Sequence, residues 1–228
     1  MPMTLRQKFS LICLALGGDA NARSLMRWRL FRCDRLLHDH PVAPGSVIYD
    51  VGGYLGDWTA AMREKHPCEY HVFEPHPEAF KELESRFPGC PEVHLHEFAL
   101  GRGNGCVALS SDAEGSSIVT PREGRIVEVR LVDVCEFLRK HGHRVALMKM
   151  NIEGAEYELL EGLLWSDLRD RVGSLLIQFH SGAPDAAARY SAIEHKLRET
   201  HELAWRYPFL WELWRPKSAK ITPDQAKP

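Results

Sequence analysis

Four residues in the second half of the chain have side chains that could assist a reaction at a hydroxyl group. Lys149, Asn151 and Glu153 occupy alternate positions, and His180 follows the next apolar run. An imidazole with an ordinary pKa of about 6.5 is neutral at pH 7 and accepts a proton. We therefore expect His180 to be the leading general base. Glu153 is the alternative base, or it holds an acceptor hydroxyl or a cofactor ammonium.

The same side chains have structural interpretations that the sequence leaves open. Lys149 either polarises the acceptor or forms an ion pair with Glu153 or another acid. Glu153 either takes part in chemistry or accepts backbone N–H groups at a helix N-terminus. His180 either acts as the base or closes a strand with hydrogen bonds. We expect Asn151 to orient the acceptor or the amino-acid end of a cofactor.

A glycine-rich turn earlier in the chain has the composition of a nucleotide-binding turn. An apolar run ends at Asp50, and Gly52, Gly53, Gly56 and the acid Asp57 follow. Glycine adopts backbone angles that other residues avoid and lets a ligand approach the main chain. The pattern predicts a strand, a tight turn and a helix that starts near Asp57.

A further acid lies where a ribose ligand is expected. Glu74 ends the next apolar run, 24 residues after Asp50, and an acid there usually binds ribose hydroxyls. Asp50 and Asp57 have no Lys or Arg beside them in the turn, so we expect them to repel a pyrophosphate. They favour S-adenosylmethionine (SAM), which carries positive charge and no phosphate. A dinucleotide, and a turn that binds nothing, are the alternatives.

Alternating strand and helix patterns must position these residues, and they predict an α/β fold with a mostly parallel sheet. Strands are expected at 47–50, 70–73, 93–98, 145–150 and 174–179. Helices are expected at 57–65, 77–86, 132–141, 153–164 and 185–201. A β-ribbon is expected over 106–133, and an aromatic hairpin is expected to consist of 202–207 and 210–215. Ligands of such sheets bind at the carboxyl ends of the strands, where the strand order reverses.

The chain divides into three predicted parts. Residues 1–44 form a helical cap whose second helix spans about 22–38, residues 45–216 form the cofactor-binding domain, and residues 217–228 are a polar tail. The apolar stretch within the first helix is too short to span a membrane. It also resembles a secretion signal, but the capping helix is the preferred interpretation. The cap could cover the sheet, cover the acceptor or mediate a homodimer.

Composition is that of an ordinary soluble protein of 228 residues. Its net charge is −2, with 44% apolar and 26% charged residues, so we expect no nucleic-acid partner and no stable membrane insertion. The six cysteines include no Cys-x-x-Cys pair, which argues against a zinc or redox motif. We expect reduced cysteines, a cytoplasmic location and a small-molecule or glycan acceptor.

Pairs of histidines separated by one residue raise the question of a metal. They are His38/His40, His94/His96 and His141/His143. On a strand, residues i and i+2 share a face, so His94 and His96 could chelate an ion. No third ligand follows at a suitable spacing, so the sequence predicts no metal site.

Four segments between residues 47 and 180 resemble the FkbM family of SAM-dependent methyltransferases. They are Asp50-Val-Gly-Gly-Tyr-Leu-Gly56, Phe73-Glu74-Pro75, Ala99-Leu100-Gly101 and Lys149-Met-Asn-Ile-Glu-Gly-Ala-Glu156. The last segment is the most specific of the four. The glycine turn alone would match many Rossmann-like enzymes.

This resemblance implies a class I methyltransferase fold, Rossmann-like, with a seven-stranded, mostly parallel sheet and an antiparallel C-terminal hairpin. It implies SAM as the cofactor and O-methylation of a hydroxyl, often on a glycan sugar or a secondary metabolite. Glu97, Phe98 and Ala99 are expected to end the third strand and flank the adenine. The full set of expected cofactor contacts is Asp50, Gly52, Gly53, Tyr54, Gly56, Asp57, Glu74, Pro75, Glu97, Phe98, Ala99 and Asn151.

Two positions depart from the family pattern. The family usually has Asp where this chain has Asn151, and commonly Asn where it has Tyr54. The loss of a carboxylate at Asn151 disfavours a divalent metal at the reaction centre, since hard cations prefer charged oxygen ligands. It also motivates an alternative function, a non-catalytic scaffold that keeps the SAM-binding fold.

Overall fold

Strands and helices alternate along the chain much as the apolar pattern predicts. The computed structural model describes residues 20–31, 33–110, 126–208 and 210–217. The first predicted helix with its signal-like stretch, the tip of the β-ribbon and nearly all of the polar tail lie outside these residues. Within them, no helix is both long enough and apolar enough to cross a bilayer.

The described elements have the following bounds. The strands are β1 Val47–Val51, β2 Glu69–Phe73, β3 Val93–His96, β4 Ala99–Gly101, β5 Gly105–Ser110, β6 Ile126–Asp133, β7 Val145–Met150, β8 Val172–Ile177, β9 His201–Tyr207 and β10 Trp211–Pro216. The α-helices are α1 Ala20–Leu30, α2 Asp57–Lys65, α3 Pro77–Arg86, α4 Val134–His141, α5 Glu156–Leu164 and α6 Ala186–Thr200. Short 3₁₀ helices span Cys33–Leu37 and Arg169–Arg171.

Seven of the described strands form the main sheet, in the order β3-β2-β1-β7-β8-β10-β9. The first five of these pair in parallel, and β10 pairs antiparallel with both β8 and β9. The predicted mostly parallel sheet with an antiparallel C-terminal hairpin is therefore confirmed. The strand order reverses between β1 and β7, so a ligand crevice is expected at the carboxyl ends of these two strands.

Side chains that alternate along the central strands build the core on both sides of the sheet. Ile48 and Leu147 pack on one face, and Tyr49 and Met148 pack on the other, all fully buried. Successive strand residues point to opposite faces, so a sheet covered by helices on both sides needs nearly continuous apolar strands. Each such side chain stabilises the fold by about 1.5–3 kcal/mol.

The third strand is shorter than predicted. It ends at His96, whose carbonyl accepts the backbone N–H of Glu74 at 3.1 Å. Ala99 then begins β4, which pairs in parallel with β6 in a separate sheet of order β4-β6-β5 within the described residues. The prediction that 97–99 ends the third strand is therefore wrong, because the chain leaves the main sheet at this edge to pair elsewhere.

Two predicted helices differ from the observed ones by more than two residues. The helix expected from residue 153 begins at Glu156, because Glu153 and Gly154 have φ of 51° and 107°. These angles are incompatible with a right-handed helix. The helix expected over 22–38 consists of α1 followed by a 3₁₀ helix.

The described part of the N-terminal cap packs against the C-terminal hairpin. Trp28 of α1 lies edge-on to Tyr207, with ring centroids 5.1 Å apart, and its indole N–H donates to Asp34 at 2.7 Å. Trp58 of α2 donates to the carbonyl of Leu37 at 2.7 Å. The described residues between 20 and 40 therefore cover the face of the sheet that carries α2.

Candidate active site

The turn after β1 lies in direct contact with the loop after β7. Gly52 has a φ of 82°, and a Cβ at this position would lie 2.1 Å from the backbone oxygen of Asn151. A Cβ on Gly53 would lie 2.2 Å from Val72 Cγ1. Both glycines are therefore required by close packing. This contact brings together two segments that the sequence predicted to be functional.

Glu74 fixes the geometry of the turn from the end of β2. Its Oε2 accepts the backbone N–H of Tyr54 at 2.8 Å, and its Oε1 accepts the N–H of His76 at 2.8 Å. The side chain is buried, and burial raises the pKa of Glu74 above its usual value. A carboxylate oxygen has more than one lone pair, so Glu74 retains capacity for a ribose hydroxyl, which stays the predicted role.

Asp50 and Lys149 form a buried ion pair beneath the turn. Lys149 Nζ donates to Asp50 Oδ1 at 2.8 Å and to the carbonyl of Gly52 at 2.8 Å. Thr59 donates to Asp50 Oδ2 at 2.7 Å. The ion-pair interpretation of Lys149 is confirmed, with Asp50 as the partner instead of Glu153. The roles predicted for Lys149 at the acceptor and for Asp50 at the cofactor stay predictions, and these contacts show that both side chains also support the turn.

The other acid of the turn also has a cationic partner. Arg86 Nη1 lies 2.5 Å from Asp57 Oδ1 and donates to the carbonyl of Leu55 at 2.8 Å. The argument that Asp50 and Asp57 are uncompensated and repel a pyrophosphate is therefore wrong. It fails because Lys149 and Arg86 are distant in sequence and reach the turn only in the folded chain.

The loop between β7 and α5 combines backbone strain with an unpaired polar atom. Glu153 adopts φ 51°, a left-handed conformation that is uncommon for residues other than Gly, Asn and Asp. In the described part of the chain, Asn151 Oδ1 is buried without a hydrogen-bond partner. Such an atom costs about 1–3 kcal/mol unless a ligand satisfies it. Strain and an orphaned acceptor in one loop are typical of a functional site.

Glu156 connects the loop between β7 and α5 to the segment that follows β8. The sequence alone suggested no role for this residue. Its side chain is fully buried. Oε2 accepts the N–H of Gly154 at 2.8 Å, and Oε1 accepts the N–H of His180 at 2.8 Å. The sequence did contain one indication of a role for Glu156, since it is the last residue of the most specific family segment. An acid in the first turn of a helix usually suggests only a favourable dipole interaction.

His180 lies between Glu156 and Glu153. Its Nδ1 is 3.2 Å from Glu156 Oε1, and its Nε2 is 3.5 Å from Glu153 Oε1. Burial alone lowers the pKa of His180, but hydrogen bonds and charge interactions with Glu153 and Glu156 raise it to about 9. The expectation of a neutral imidazole at pH 7 is wrong for this reason. With a pKa of about 9, His180 is mostly protonated at pH 7, which disfavours it as the general base. Its role as the base stays a prediction.

The residues expected around the adenine occupy different environments. Phe98 is half-buried, and its ring centroid lies 5.7 Å from that of Phe73. The guanidinium of Arg130 lies 5.5 Å above the Phe98 ring. Glu97 is exposed and Ala99 is buried. Their contacts with an adenine stay predictions, as does a cofactor role for the exposed Tyr54.

The residues at this crevice fit SAM. The glycine turn after β1 lies at the carboxyl end of the strand where the strand order reverses, which is where such sheets bind ligands. Glu74 lies at the end of β2, where a ribose diol would be bound. The orphaned Asn151 Oδ1 is an acceptor, and the ammonium of an amino acid is a donor.

Comparisons with known proteins agree with this fit. The methyltransferase FkbM domain matches residues 50–202. "Methyltransferase 1" of Beauveria bassiana (strain ARSEF 2860) is 25% identical over 183 residues, covering 68% of this chain and 73% of that protein.

Among solved structures, an rRNA methylase from Streptococcus thermophilus is similar with a TM-score of 0.47 and 12% identity, covering 78% of this chain and 90% of that one. Fibrillarin from Aeropyrum pernix, in complex with natively bound SAM, is similar with a TM-score of 0.45 and 12% identity. The match covers 80% of this chain and 72% of the fibrillarin chain.

Proposed function

Because the chain belongs to the methyltransferase FkbM family, with SAM as its cofactor, we propose that it methylates a hydroxyl group of a sugar or secondary metabolite. The observation that carries the proposal is the Glu153–His180–Glu156 arrangement beside Asn151. It supplies a carboxylate next to the crevice between β1 and β7. We include a cytoplasmic location in the proposal, since that compartment supplies SAM.

The bound cofactor supplies an electrophilic methyl group on a sulfonium, and the thioether leaves without protonation. The protein must align the acceptor oxygen with the methyl carbon and sulfur, and such positioning lowers barriers by several kcal/mol. Glu74 would hold the ribose end of the cofactor, and Asn151 Oδ1 would accept a hydrogen bond from its ammonium. The buried Asp50–Lys149 pair keeps the turn between these contacts rigid.

Glu153 is the proposed proton acceptor. Its carboxylate is partly exposed, with a side-chain exposure of 37%, and His180 lies on one of its oxygens. His180 acts as a positioning residue: buried Glu156 fixes its ring through Nδ1 and leaves Nε2 directed at Glu153. The strained backbone of Glu153 is consistent with a side chain held at a required angle.

A carboxylate in this place suits an oxygen acceptor better than a nitrogen acceptor. A neutral hydroxyl is a poor nucleophile, and its proton must leave as the O–C bond forms, so a base in hydrogen-bond reach accelerates transfer. A neutral amine attacks first and loses its proton afterwards. The position of Glu153 therefore favours O-methylation.

The test is transfer of labelled methyl from SAM to a panel of sugars, sugar nucleotides and polyketide alcohols, with the product bond assigned by NMR. We expect a methyl ether, and we expect Glu153→Gln to lose turnover while it still binds S-adenosylhomocysteine. Methylation of nitrogen would refute the hydroxyl assignment. Cofactor binding without transfer to any acceptor would favour the scaffold alternative.

A further inference from the structure

Histidines from three separate segments meet at the opposite end of the sheet. His71 on β2 stacks on His94 and His96 of β3, with ring centroids 4.7 Å and 5.2 Å apart. The ring of His143, which follows α4, lies 4.5 Å from that of His71. The sequence offered His-x-His pairs without a third ligand, and the fold supplies the missing partners from β2.

We propose that Glu69, His71 and His143 bind a divalent transition-metal ion. One ligand atom from each of these residues lies within 4.8 Å of the other two. Glu69 Oε1 and His71 Nε2 are already 3.0 Å apart. Ligands about 2.1 Å from a tetrahedral ion lie roughly 3–3.5 Å from one another. Small rotations of Glu69 and His143 therefore complete the coordination.

The second nitrogen of each imidazole has the partner that a metal ligand needs. His71 Nδ1 lies 2.9 Å from His96 Nε2, and His143 Nδ1 lies 2.8 Å from the hydroxyl of Tyr49. With the protons on these Nδ1 atoms, both imidazoles donate to His96 and Tyr49, and both Nε2 lone pairs remain for the ion. Such outer hydrogen bonds fix the tautomer and ring orientation of metal-binding histidines.

The ligand set identifies the class of ion. Two imidazole nitrogens and one carboxylate suit zinc and its first-row neighbours, whereas Ca²⁺ and Mg²⁺ prefer oxygen ligands alone. Three protein ligands leave a position for water. Glu69, one of the three proposed ligands, also lines a cleft of about 770 Å³.

The site is remote from the methyl-transfer crevice. Glu69 is the first residue of β2, and Glu74 follows its last residue, so the two acids are separated by about 16 Å of extended chain. An ion here would connect β2 to the segment between α4 and β7. We assign it a structural role that is independent of the proposed function.

The experiment uses tag-free protein stripped with a chelator. Zn²⁺ affinity is measured by competition with a chromophoric chelator, and thermal unfolding is followed with and without Zn²⁺. We expect one ion per chain, a higher Tm with Zn²⁺, and a Co²⁺ absorption spectrum typical of nitrogen and oxygen ligands.

The variants Glu69→Gln and His143→Gln are expected to weaken Zn²⁺ binding by at least about tenfold. His195→Gln, at an exposed position on α6, is the control and should bind as the wild type does. Glu69 is partly exposed, so its variant tests the site even where His143→Gln unfolds. Absence of binding, or equal Zn²⁺ affinity in Glu69→Gln and the wild type, would overturn the proposal.

Discussion

Asp50 and Lys149 face each other on adjacent parallel strands, β1 and β7, and their buried ion pair lies directly under the glycine turn. The pair is 99 positions apart in sequence and 2.8 Å apart in space. Its third participant is the carbonyl of Gly52, so Lys149 also holds the first glycine of the turn. Two residues that each suggested chemistry therefore also support the backbone of the glycine turn.

Loss of this pair is expected to destabilise the fold. Lys149→Met leaves the carboxylate of Asp50 buried without its cation, and breaking a buried pair costs about 3–5 kcal/mol. Urea denaturation measures the free energy of unfolding. The double variant Asp50→Asn/Lys149→Met removes both charges and should recover part of the loss. A Lys149→Met protein as stable as the wild type, but without turnover, would instead assign Lys149 to the chemistry.

Glu74 is expected to contribute directly to cofactor binding. Glu74→Ala should weaken S-adenosylhomocysteine binding by about 1–3 kcal/mol, the range for lost hydrogen bonds to a charged group. Calorimetric titration measures the change. Glu78→Ala, at an exposed position in the first turn of α3, is the matched control and should bind normally. Equal Kd values for the two variants would remove Glu74 from the ribose site.

The pKa of His180 predicts how stability depends on pH. The folded protein raises this pKa to about 9, whereas an unfolded chain has about 6.5. The charged interactions of His180 therefore stabilise the fold fully below pH 6.5 and are lost as the pH rises to about 9. This contribution is on the order of 3 kcal/mol.

The measurement compares the free energy of unfolding of the wild type and His180→Gln across this range of pH. The difference between the two proteins should shrink as the pH rises from 6.5 to 9. A difference that stays constant would mean that the imidazole of His180 is neutral throughout.

The pH dependence of turnover separates the two candidate bases. With Glu153 as the proton acceptor, kcat is expected to be level between pH 7 and about 8, because His180 keeps its proton there. Glu153→Gln should lower kcat by about 10²–10⁴. A kcat that instead rises steadily toward pH 9 in the wild type, and no longer does so in His180→Gln, would restore His180 as the base.

Local pattern predicted much of the fold. The central strands and the helices α2 and α3 have the expected bounds, or nearly so, because apolar alternation and helix-start signals are local properties. The errors at residues 97–99 and 153–155 have a different origin. There, pairing with β6 and left-handed backbone angles override the local preference.

The partners of the charged groups were much harder to predict than the positions of the groups. Arg86 reaches Asp57 from 29 positions away, and Glu156 reaches His180 from 24. A sequence gives the type and number of ionisable groups, but their protonation depends on neighbours that only the fold supplies. The histidines around Glu69 are a further case, since β2 and the segment after α4 become neighbours only in the sheet.

The absent side chain of Gly52 has a consequence for how the protein can change over evolutionary time. There is no room for a Cβ against the oxygen of Asn151, so even the smallest replacement, Gly52→Ala, would push the glycine turn away from the loop after β7. We expect related chains to keep the spacing across this contact. We expect differences in acceptor preference to arise in the surrounding loops.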